Sequence, residues 1–143
     1  MSTLERAIAI SAEAHAGQVD KAGAPYVLHP LRMMLSMSSI DERIVAILHD
    51  VCEDCPGWTL DRLRREGFSD LIIDALQSVT KRDGEDYEDF VRRAAANPIG
   101  RRVKLADLHD NSDLSRIAVP SERDFRRIEK YRRAIDLIKR LPA

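Results

Sequence analysis

The spacing of hydrophobic positions along the chain predicts helices. Apolar residues recur every three or four positions, and capping residues, glycines and prolines separate the periodic segments. The predicted helices cover residues 3–15, 31–37, 41–53, 59–66, 69–79, 86–96, 98–114 and 121–141. No segment alternates apolar and polar residues as a half-buried strand does. We therefore expect an all-α fold, a compact single-domain helical bundle.

The ends of the predicted helices follow from individual residues. Asp41 is the predicted N-terminal cap of the third helix, and Pro56 and Gly57 break the chain after that helix. The last helix has an apolar stripe, formed by Phe125, Ile128, Tyr131, Ile135 and Ile138. Such a stripe serves either as part of the core or as a contact between two copies, so the sequence leaves a homodimer open.

Composition and charge restrict the class of protein. The chain has 143 residues, 23 basic and 24 acidic, which suits one domain with a hydrophobic core and near-neutral charge. The basic residues near the C-terminus alternate with acids and lack interleaved aromatics, which favours a solvated helix face over a nucleic-acid surface. No apolar run approaches the ~20 residues that cross a membrane, and the charged N-terminal residues do not resemble a signal peptide. We expect a cytoplasmic protein without nucleic-acid or membrane partners.

A pair of ionisable residues interrupts the most apolar predicted helix. His49 and Asp50 directly follow the apolar residues 44–48, and Glu53 and Asp54 lie one turn further on. Removing such groups from water costs several kcal/mol per charge, by a rough estimate, unless a partner compensates for it. A divalent cation would pair with the whole cluster, so the sequence predicts a metal site.

Two other segments offer further ligands. His29 lies in the loop-rich segment 23–30, and residues 104–111 contain Asp107, His109 and Asn111. Imidazole and carboxylate ligands together suit Mn, Fe, Co or Zn, and composition does not choose among them. The alternative is that each residue is a buried hydrogen-bonded group or a cap. The Cys52-x-x-Cys55 pair has no second pair beside it, so we interpret both residues as free thiols.

Five ordered motifs resemble a known family. They are His15–Gln18, Gly23–Pro30, Ile47–Asp54, Val79–Lys81 and Val103–Asn111. Their order and spacing are similar to the hydrolase domain of Rel/SpoT-type alarmone enzymes. Because the remaining length leaves no room for a synthetase or regulatory region, the chain is more similar to the stand-alone small alarmone hydrolases of the HD superfamily.

This resemblance implies a single HD-type domain over residues 1–143 and a function for it. The implied activity removes pyrophosphate from the 3′ position of guanosine or adenosine tetra- and pentaphosphates, (p)ppGpp or (p)ppApp. The implied Mn²⁺ ligands are His29, His49, Asp50 and Asp107. Glu53 and Asp54 match the acidic pair that orients or deprotonates the attacking water, and Asn111 matches an amide near the nucleotide sugar.

Binding of phosphate groups requires cations as well. The candidates include Lys21, Lys81 and Lys104, although each can equally be a solvated surface lysine. Lys81 follows Thr80 as in the Thr-Lys motif of the family. Tyr26 lies beside His29 in the sequence and either contacts substrate or fills the core.

The chain departs from the family pattern at three positions. Asp20 replaces a basic residue that stacks on the base in many long Rel-type sequences, and Leu108 and Asp110 replace the usual arginine and histidine. An aspartate cannot stack on a purine as a guanidinium does. Two alternatives therefore stay open, an HD-type nucleotidase or other phosphohydrolase acting on another nucleotide, and a non-enzymatic nucleotide-sensing module. The Glu53-Asp54 pair argues against the sensor, which has little use for water activation.

Overall fold

Nine α-helices form the protein. The computed structural model describes all 143 residues and contains no strand, only an isolated antiparallel bridge between Val19 and Pro25. The helices are α1 (Leu4–Ala14), α2 (Leu28–Ser36), α3 (Ile40–Leu48), α4 (Val51–Asp54), α5 (Leu60–Arg65), α6 (Asp70–Ser78), α7 (Tyr87–Ala96), α8 (Pro98–Asn111) and α9 (Glu122–Arg140). The predicted all-α class is confirmed. None of these helices has the length and apolar character needed to span a membrane.

The N-terminus of α3 differs from the prediction. Ser39, and not Asp41, caps the helix, because Ser39 and Glu42 form a reciprocal capping box. The Ser39 hydroxyl accepts from the Glu42 amide at 3.1 Å, and the Glu42 carboxylate accepts from the Ser39 amide at 3.2 Å. Asp41 instead lies in the first turn, where its negative charge interacts favourably with the helix dipole.

The single helix predicted for residues 41–53 is also wrong. It divides into α3 and α4, and His49 and Asp50 form the junction between them. The amide of His49 lies 3.5 Å from the carbonyl of Ala46, three residues back instead of the four of a regular α-helix. The break therefore falls exactly at the two ionisable residues that interrupt the apolar run.

Two other helix ends differ from the prediction by three residues. Helix α2 begins at Leu28 instead of residue 31, because Pro30 is tolerated in a first turn, where an amide hydrogen has no partner within the helix. Helix α8 ends at Asn111 instead of residue 114, and the Ser112 hydroxyl donates to the Leu108 carbonyl at that end.

The hydrophobic core has two parts. The larger part surrounds α3, whose residues 44–48 are all buried, and includes side chains from α1, α2, α5 and α6. The smaller part joins α7, α8 and α9 through Val91, Leu108, Ile135 and Ile138. Most of the α9 stripe thus contributes to the core, while Phe125 is exposed. A homodimer stays a prediction.

Helices α6 and α8 approach closely at a glycine. A Cβ atom on Gly100 would lie 2.1 Å from the Ser78 hydroxyl oxygen and 3.0 Å from the Ala94 carbonyl oxygen. The Ser78 hydroxyl donates to the Ala75 carbonyl at 2.6 Å, which holds it against α8. The absence of a side chain at Gly100 is therefore a packing requirement.

We expect Gly100→Ala to lower the free energy of unfolding by about 1–3 kcal/mol, because the added methyl group overpacks the α6–α8 contact. Alanine in a helix normally stabilises a protein relative to glycine by about 0.5–1 kcal/mol. The sign of the change in unfolding free energy therefore distinguishes overpacking from this ordinary effect. Urea denaturation measures the change. In a Ser78→Ala background the same substitution should cost less, and an unchanged or increased stability of Gly100→Ala alone would contradict the close approach.

Candidate metal centre

The four predicted metal ligands lie together where α2, α3 and α8 pack against one another. His29 comes from α2, His49 and Asp50 from the α3–α4 junction, and Asp107 from α8. Nε2 of His29 lies 3.0 Å from Asp107 Oδ1 and 3.8 Å from Asp50 Oδ2. Nε2 of His49 lies 2.9 Å from Asp50 Oδ2 and 3.5 Å from Asp107 Oδ1. One oxygen of each carboxylate therefore lies within 3.8 Å of both imidazole nitrogens.

The outer nitrogen of each imidazole is held by an acceptor. His49 Nδ1 lies 2.8 Å from the Ala46 carbonyl oxygen, and His29 Nδ1 lies 2.6 Å from Asp110 Oδ2. Since a carbonyl or carboxylate oxygen only accepts, both Nδ1 atoms must carry hydrogen. Each Nε2 is thereby available as a ligand, the arrangement found in metal-binding histidines.

This arrangement fits a divalent cation. His49 Nε2 is buried and makes no hydrogen bond, which is costly for a polar atom unless something binds it. The ligand atoms of His29, His49 and Asp50 all lie within 4.8 Å of one another. Two imidazoles and two carboxylates form a donor set that transition metals prefer, with coordination positions left for other ligands.

The electrostatic field at this point is negative. Burial alone lowers the pKa of both histidines, but Asp107 and Asp110 raise the pKa of His29 above its ordinary value. The charge of Asp50 and contacts with Asp107 likewise raise the pKa of His49 well above its ordinary value. The carboxylates thus attract a positive charge to this site, whether a proton or a metal ion.

Lys104 and Asn111 also contact Asp107, Lys104 at Oδ2 and Asn111 at Oδ1, the oxygen that lies near both imidazoles. The Lys104 ammonium lies 3.0 Å from Asp107 Oδ2, and Asn111 Nδ2 donates to Asp107 Oδ1 at 2.9 Å. Burial raises the pKa of Asp107, but the Lys104 charge and the His29 contact outweigh it and hold the pKa well below its ordinary value. Lys104 is only 8% exposed, so its ammonium is committed to Asp107 and not available at the surface.

Tyr26 contacts the centre directly. Its hydroxyl donates to Asp50 Oδ2, and its ring lies between those of His15 and His29, with centroids 5.0 and 5.7 Å away. Burial and the charge of Asp50 raise the pKa of Tyr26, so the hydroxyl keeps its proton. His15 is buried behind the tyrosine, where Nδ1 lies 2.8 Å from Gln18 Oε1. Tyr26 therefore orients a candidate ligand, a third role beside the two considered from sequence.

Glu53 and Asp54 lie on α4, immediately after the ligands, and are exposed. The Glu53 carboxylate accepts from the backbone amide of Lys81 through Oε1, which leaves Oε2 free. Desolvation raises the pKa of Glu53, and desolvation together with the charge of Asp50 raises the pKa of Asp54. Both carboxylates are therefore more basic than ordinary ones. The Lys81 side chain is exposed beside this pair.

A cleft of about 310 Å³ opens next to the centre. Three of the predicted substrate residues line it, namely Lys21, Tyr26 and Asn111, whereas Lys81 and Lys104 do not. Sequence reasoning missed several charged residues of this cleft, which are Arg32, Asp110, Asp113, Arg116 and Arg127. Arg32 and Asp110 were detectable, because each lies three residues beyond a predicted ligand on the same helix face. No comparable signal indicated Arg116 or Arg127.

Asp20 organises the loop that borders the cleft. Its Oδ1 atom accepts from the amides of Ala22 and Ala24 at 2.9 and 3.0 Å, in the manner of an Asx turn. The carboxylate is thus occupied by its own loop. His109 is exposed, and Cys52 and Cys55 are free thiols as predicted.

Comparison with known proteins places this geometry in context. No protein-family model matches the chain. The chain is 30% identical to the "Probable GTP pyrophosphokinase" of Mycobacterium leprae, over 96% of the chain and 18% of that protein. It is 29% identical to the guanosine-3′,5′-bis(diphosphate) 3′-pyrophosphohydrolase of Aquifex aeolicus, over 76% of the chain and 17% of that protein. It is 28% identical to the bifunctional (p)ppGpp synthase/hydrolase SpoT of Escherichia coli, over 75% of the chain and 15% of that protein.

The chain therefore spans less than a fifth of the length of these relatives. A solved structure of a metazoan ortholog of SpoT, described as hydrolysing ppGpp, matches with a TM-score of 0.76 and 18% identity. The match covers 98% of this chain and 86% of that one, and it confirms the HD-type helical fold. The predicted resemblance to the Rel/SpoT-type hydrolase domain is confirmed by these comparisons.

We expect Mn²⁺ to stabilise the folded protein, by about 2.7 kcal/mol at a hundredfold excess over the dissociation constant, since an unfolded chain lacks the assembled site. Thermal denaturation with Mn²⁺ and with a chelator measures this shift. Asp107→Asn should abolish the shift because one ligand charge is lost. The control Asp74→Asn, an exposed acid on α6, should keep it. Equal shifts in both variants would exclude Asp107 as a ligand.

Proposed function

We propose that the protein is a metal-dependent phosphohydrolase that removes the 3′-pyrophosphate from guanosine or adenosine alarmones. The products would be the nucleoside di- or triphosphate and pyrophosphate. The main observation in support is the cluster of two imidazole nitrogens and two carboxylate oxygens, in which His49 Nε2 is buried without a hydrogen bond. The acidic pair Glu53 and Asp54 directly follows this cluster on α4. The activities of the Aquifex aeolicus and Escherichia coli relatives support this substrate class.

The proposed cofactor is Mn²⁺, and other divalent transition metals suit the same donor set. Its proposed ligands are His29, His49, Asp50 and Asp107. When bound, the ion would lower the pKa of a water molecule and screen the charge of phosphoryl oxygens. Lys104, Asn111 and Tyr26 already hold the two carboxylates by hydrogen bonds, so little reorganisation is required of the side chains.

Glu53 is the proposed general base and Asp54 its neighbour in orienting water. The Lys81 amide fixes Glu53 Oε1, so that Oε2 can accept the proton of the attacking water. Water adds across the bond between the 3′ oxygen and phosphorus. Its oxygen ends on pyrophosphate, and a hydrogen ends on the 3′ hydroxyl of the nucleotide. The raised pKa of Glu53 favours this proton transfer.

The cleft is the proposed nucleotide site. Lys21, Arg32, Arg116 and Arg127 supply positive charge along its walls, as several phosphate groups require. Asn111 lies where the cleft meets Asp107, in keeping with its implied place near the sugar. Lys81, exposed next to Glu53, is the remaining proposed phosphate contact, while Lys104 acts through Asp107. The proposed partner is thus a small nucleotide in the cytoplasm.

A second candidate function is hydrolysis of another nucleotide by the same metal centre. The observation that favours it is Asp20, whose carboxylate holds its own loop where many Rel-type sequences have a basic residue for base stacking. The base would then be selected by different contacts, and the metal centre would be unaffected.

We expect chelator-sensitive release of pyrophosphate from ppGpp, pppGpp or ppApp in the presence of Mn²⁺. Anion-exchange separation of products from these compounds, ordinary nucleoside triphosphates and a generic phosphatase substrate measures it and ranks the bases. Turnover restricted to other nucleotides would support the second candidate. No turnover of any compound would exclude both enzymes and favour a nucleotide sensor.

Glu53→Gln should retain Mn²⁺ binding and lose about 10²–10⁴-fold in kcat, the usual contribution of a general base. Glutamine keeps an oxygen that can accept from the Lys81 amide, so the loop contact survives. Steady-state kinetics and a Mn²⁺ titration of the same preparation separate the two effects. Loss of metal in this variant would assign Glu53 to the ligand set, and unchanged turnover would remove it from the mechanism.

A further inference from the structure

Asp110 connects the metal centre to the wall of the cleft. Its carboxylate accepts from His29 Nδ1 at 2.6 Å and from the guanidinium of Arg32 at 2.8 and 2.9 Å. Arg116 contacts the same residue, with Nη2 donating to the Asp110 carbonyl at 2.8 Å. One carboxylate thus serves a candidate ligand on one side and cations of the cleft on the other.

The geometry arises from two facing helices. His29 and Arg32 are three residues apart on α2, and Asp107 and Asp110 are three residues apart on α8, so each pair shares one helix face. Asp107 contacts the inner nitrogen of His29, while Asp110 contacts the outer one. The imidazole is therefore held at both ends by consecutive turns of α8.

Arg32 holds the carboxylate of Asp110 in one orientation. Its planar fork binds both carboxylate oxygens, through Nε to Oδ1 and Nη2 to Oδ2. This two-point contact fixes the plane of the carboxylate and keeps a partly buried negative charge paired. Arg32 does not contact the ligand atoms, so any influence it has on them passes through Asp110.

We propose that Asp110, held by Arg32, is a positioning residue that fixes His29 with Nε2 directed at the metal. This inference rests on the proposed metal site and not on the identity of the substrate. Groups that orient a ligating histidine typically change metal affinity about 10–100-fold when they are removed. Asp110→Asn retains the size of the side chain but loses the charge and cannot accept from His29 and Arg32 in the same way.

We expect the dissociation constant for Mn²⁺ to rise about 10–100-fold in Asp110→Asn, measured from the electron paramagnetic resonance signal of free Mn²⁺. Asp113→Asn is the matched control, because Asp113 lines the same cleft and pairs with Arg116 at 3.1 Å without contacting His29. Asp113→Asn removes the same charge, so the affinity of this variant for Mn²⁺ should differ from that of the wild type by about twofold or less. Equal affinities in the wild type and Asp110→Asn would overturn the proposal, as would equal losses in both variants.

A second variant tests the role of Arg32 and covers a failure of Asp110→Asn to fold. Arg32 is partly exposed, and Arg32→Gln should weaken Mn²⁺ binding less than Asp110→Asn does. Because Arg32 acts through Asp110, the double variant should bind Mn²⁺ with the same affinity as Asp110→Asn alone. Additive losses of affinity would show that the two residues act independently and would overturn the role given to Arg32.

Spectroscopy supplies a readout that general destabilisation would not move. In the Zn²⁺-loaded protein, a nitrogen-15-resolved NMR spectrum should show His29 protonated at Nδ1. The resonance of that proton should be strongly shifted by its carboxylate partner, and the shift should be lost in Asp110→Asn. Binding without alarmone hydrolysis would refute the proposed function and leave this inference intact. A wild-type protein that binds no divalent ion would overturn the inference itself.

Discussion

The burial of two imidazoles and two carboxylates between α2, α3 and α8 is the constraint on which the structure depends. Each of these groups loses hydration, and their inner atoms face one another at 2.9 to 3.8 Å. Such a cluster is stable only with positive charge among its members. The surrounding groups hold this cluster by hydrogen bonds: the two Nδ1 atoms and Asp107 Oδ2 are bound from outside, whereas Tyr26 and Asn111 donate to the inner oxygens Asp50 Oδ2 and Asp107 Oδ1. These groups are the Ala46 carbonyl, Asp110, Lys104, Asn111 and Tyr26.

The break between α3 and α4 follows from the same constraint. On a continuous helix adjacent side chains point about 100° apart, so His49 and Asp50 would diverge. At the observed junction His49 Nε2 and Asp50 Oδ2 lie 2.9 Å apart. The short helix α4 then restarts and presents Glu53 and Asp54 next to the ligands. One local irregularity thus produces both the ligand pair and the placement of the acidic pair.

The cleft and the metal centre carry different information about function. The metal centre explains why a phosphohydrolase is proposed. The cleft contains two of the three departures from the family pattern, Asp20 and Asp110, whereas Leu108 is buried in the core. Asp20 is bound by its own loop, and Asp110 is paired with Arg32 and His29. In the proposed function, the cleft would select among nucleotides and the metal centre would carry out the chemistry at phosphorus.

Most of the helices and the residues of the candidate centre could be predicted from the sequence. The periodicity of apolar residues follows from the local geometry of a helix, so it can be read from the sequence. Ionisable residues inside an apolar run, such as His49 and Asp50, can also be recognised without a structure. Asp107 and Asn111 are four residues apart, so the sequence also places both on one face of a helix. The all-α class and the cluster at His49 and Asp50 were accessible for this reason, whereas the full ligand set was implied by the family resemblance.

Only the tertiary structure decided which partner each side chain has. Lys104 looked like a free cation, but the packing of α8 buries its ammonium against Asp107. Arg32 and Asp110 are 78 residues apart in sequence, and their pairing exists only because α2 lies beside α8. The end of α3 at Leu48, instead of near residue 53, likewise follows from the convergence of three helices. A sequence pattern specifies a helix face, whereas the neighbour of that face depends on how the whole chain packs.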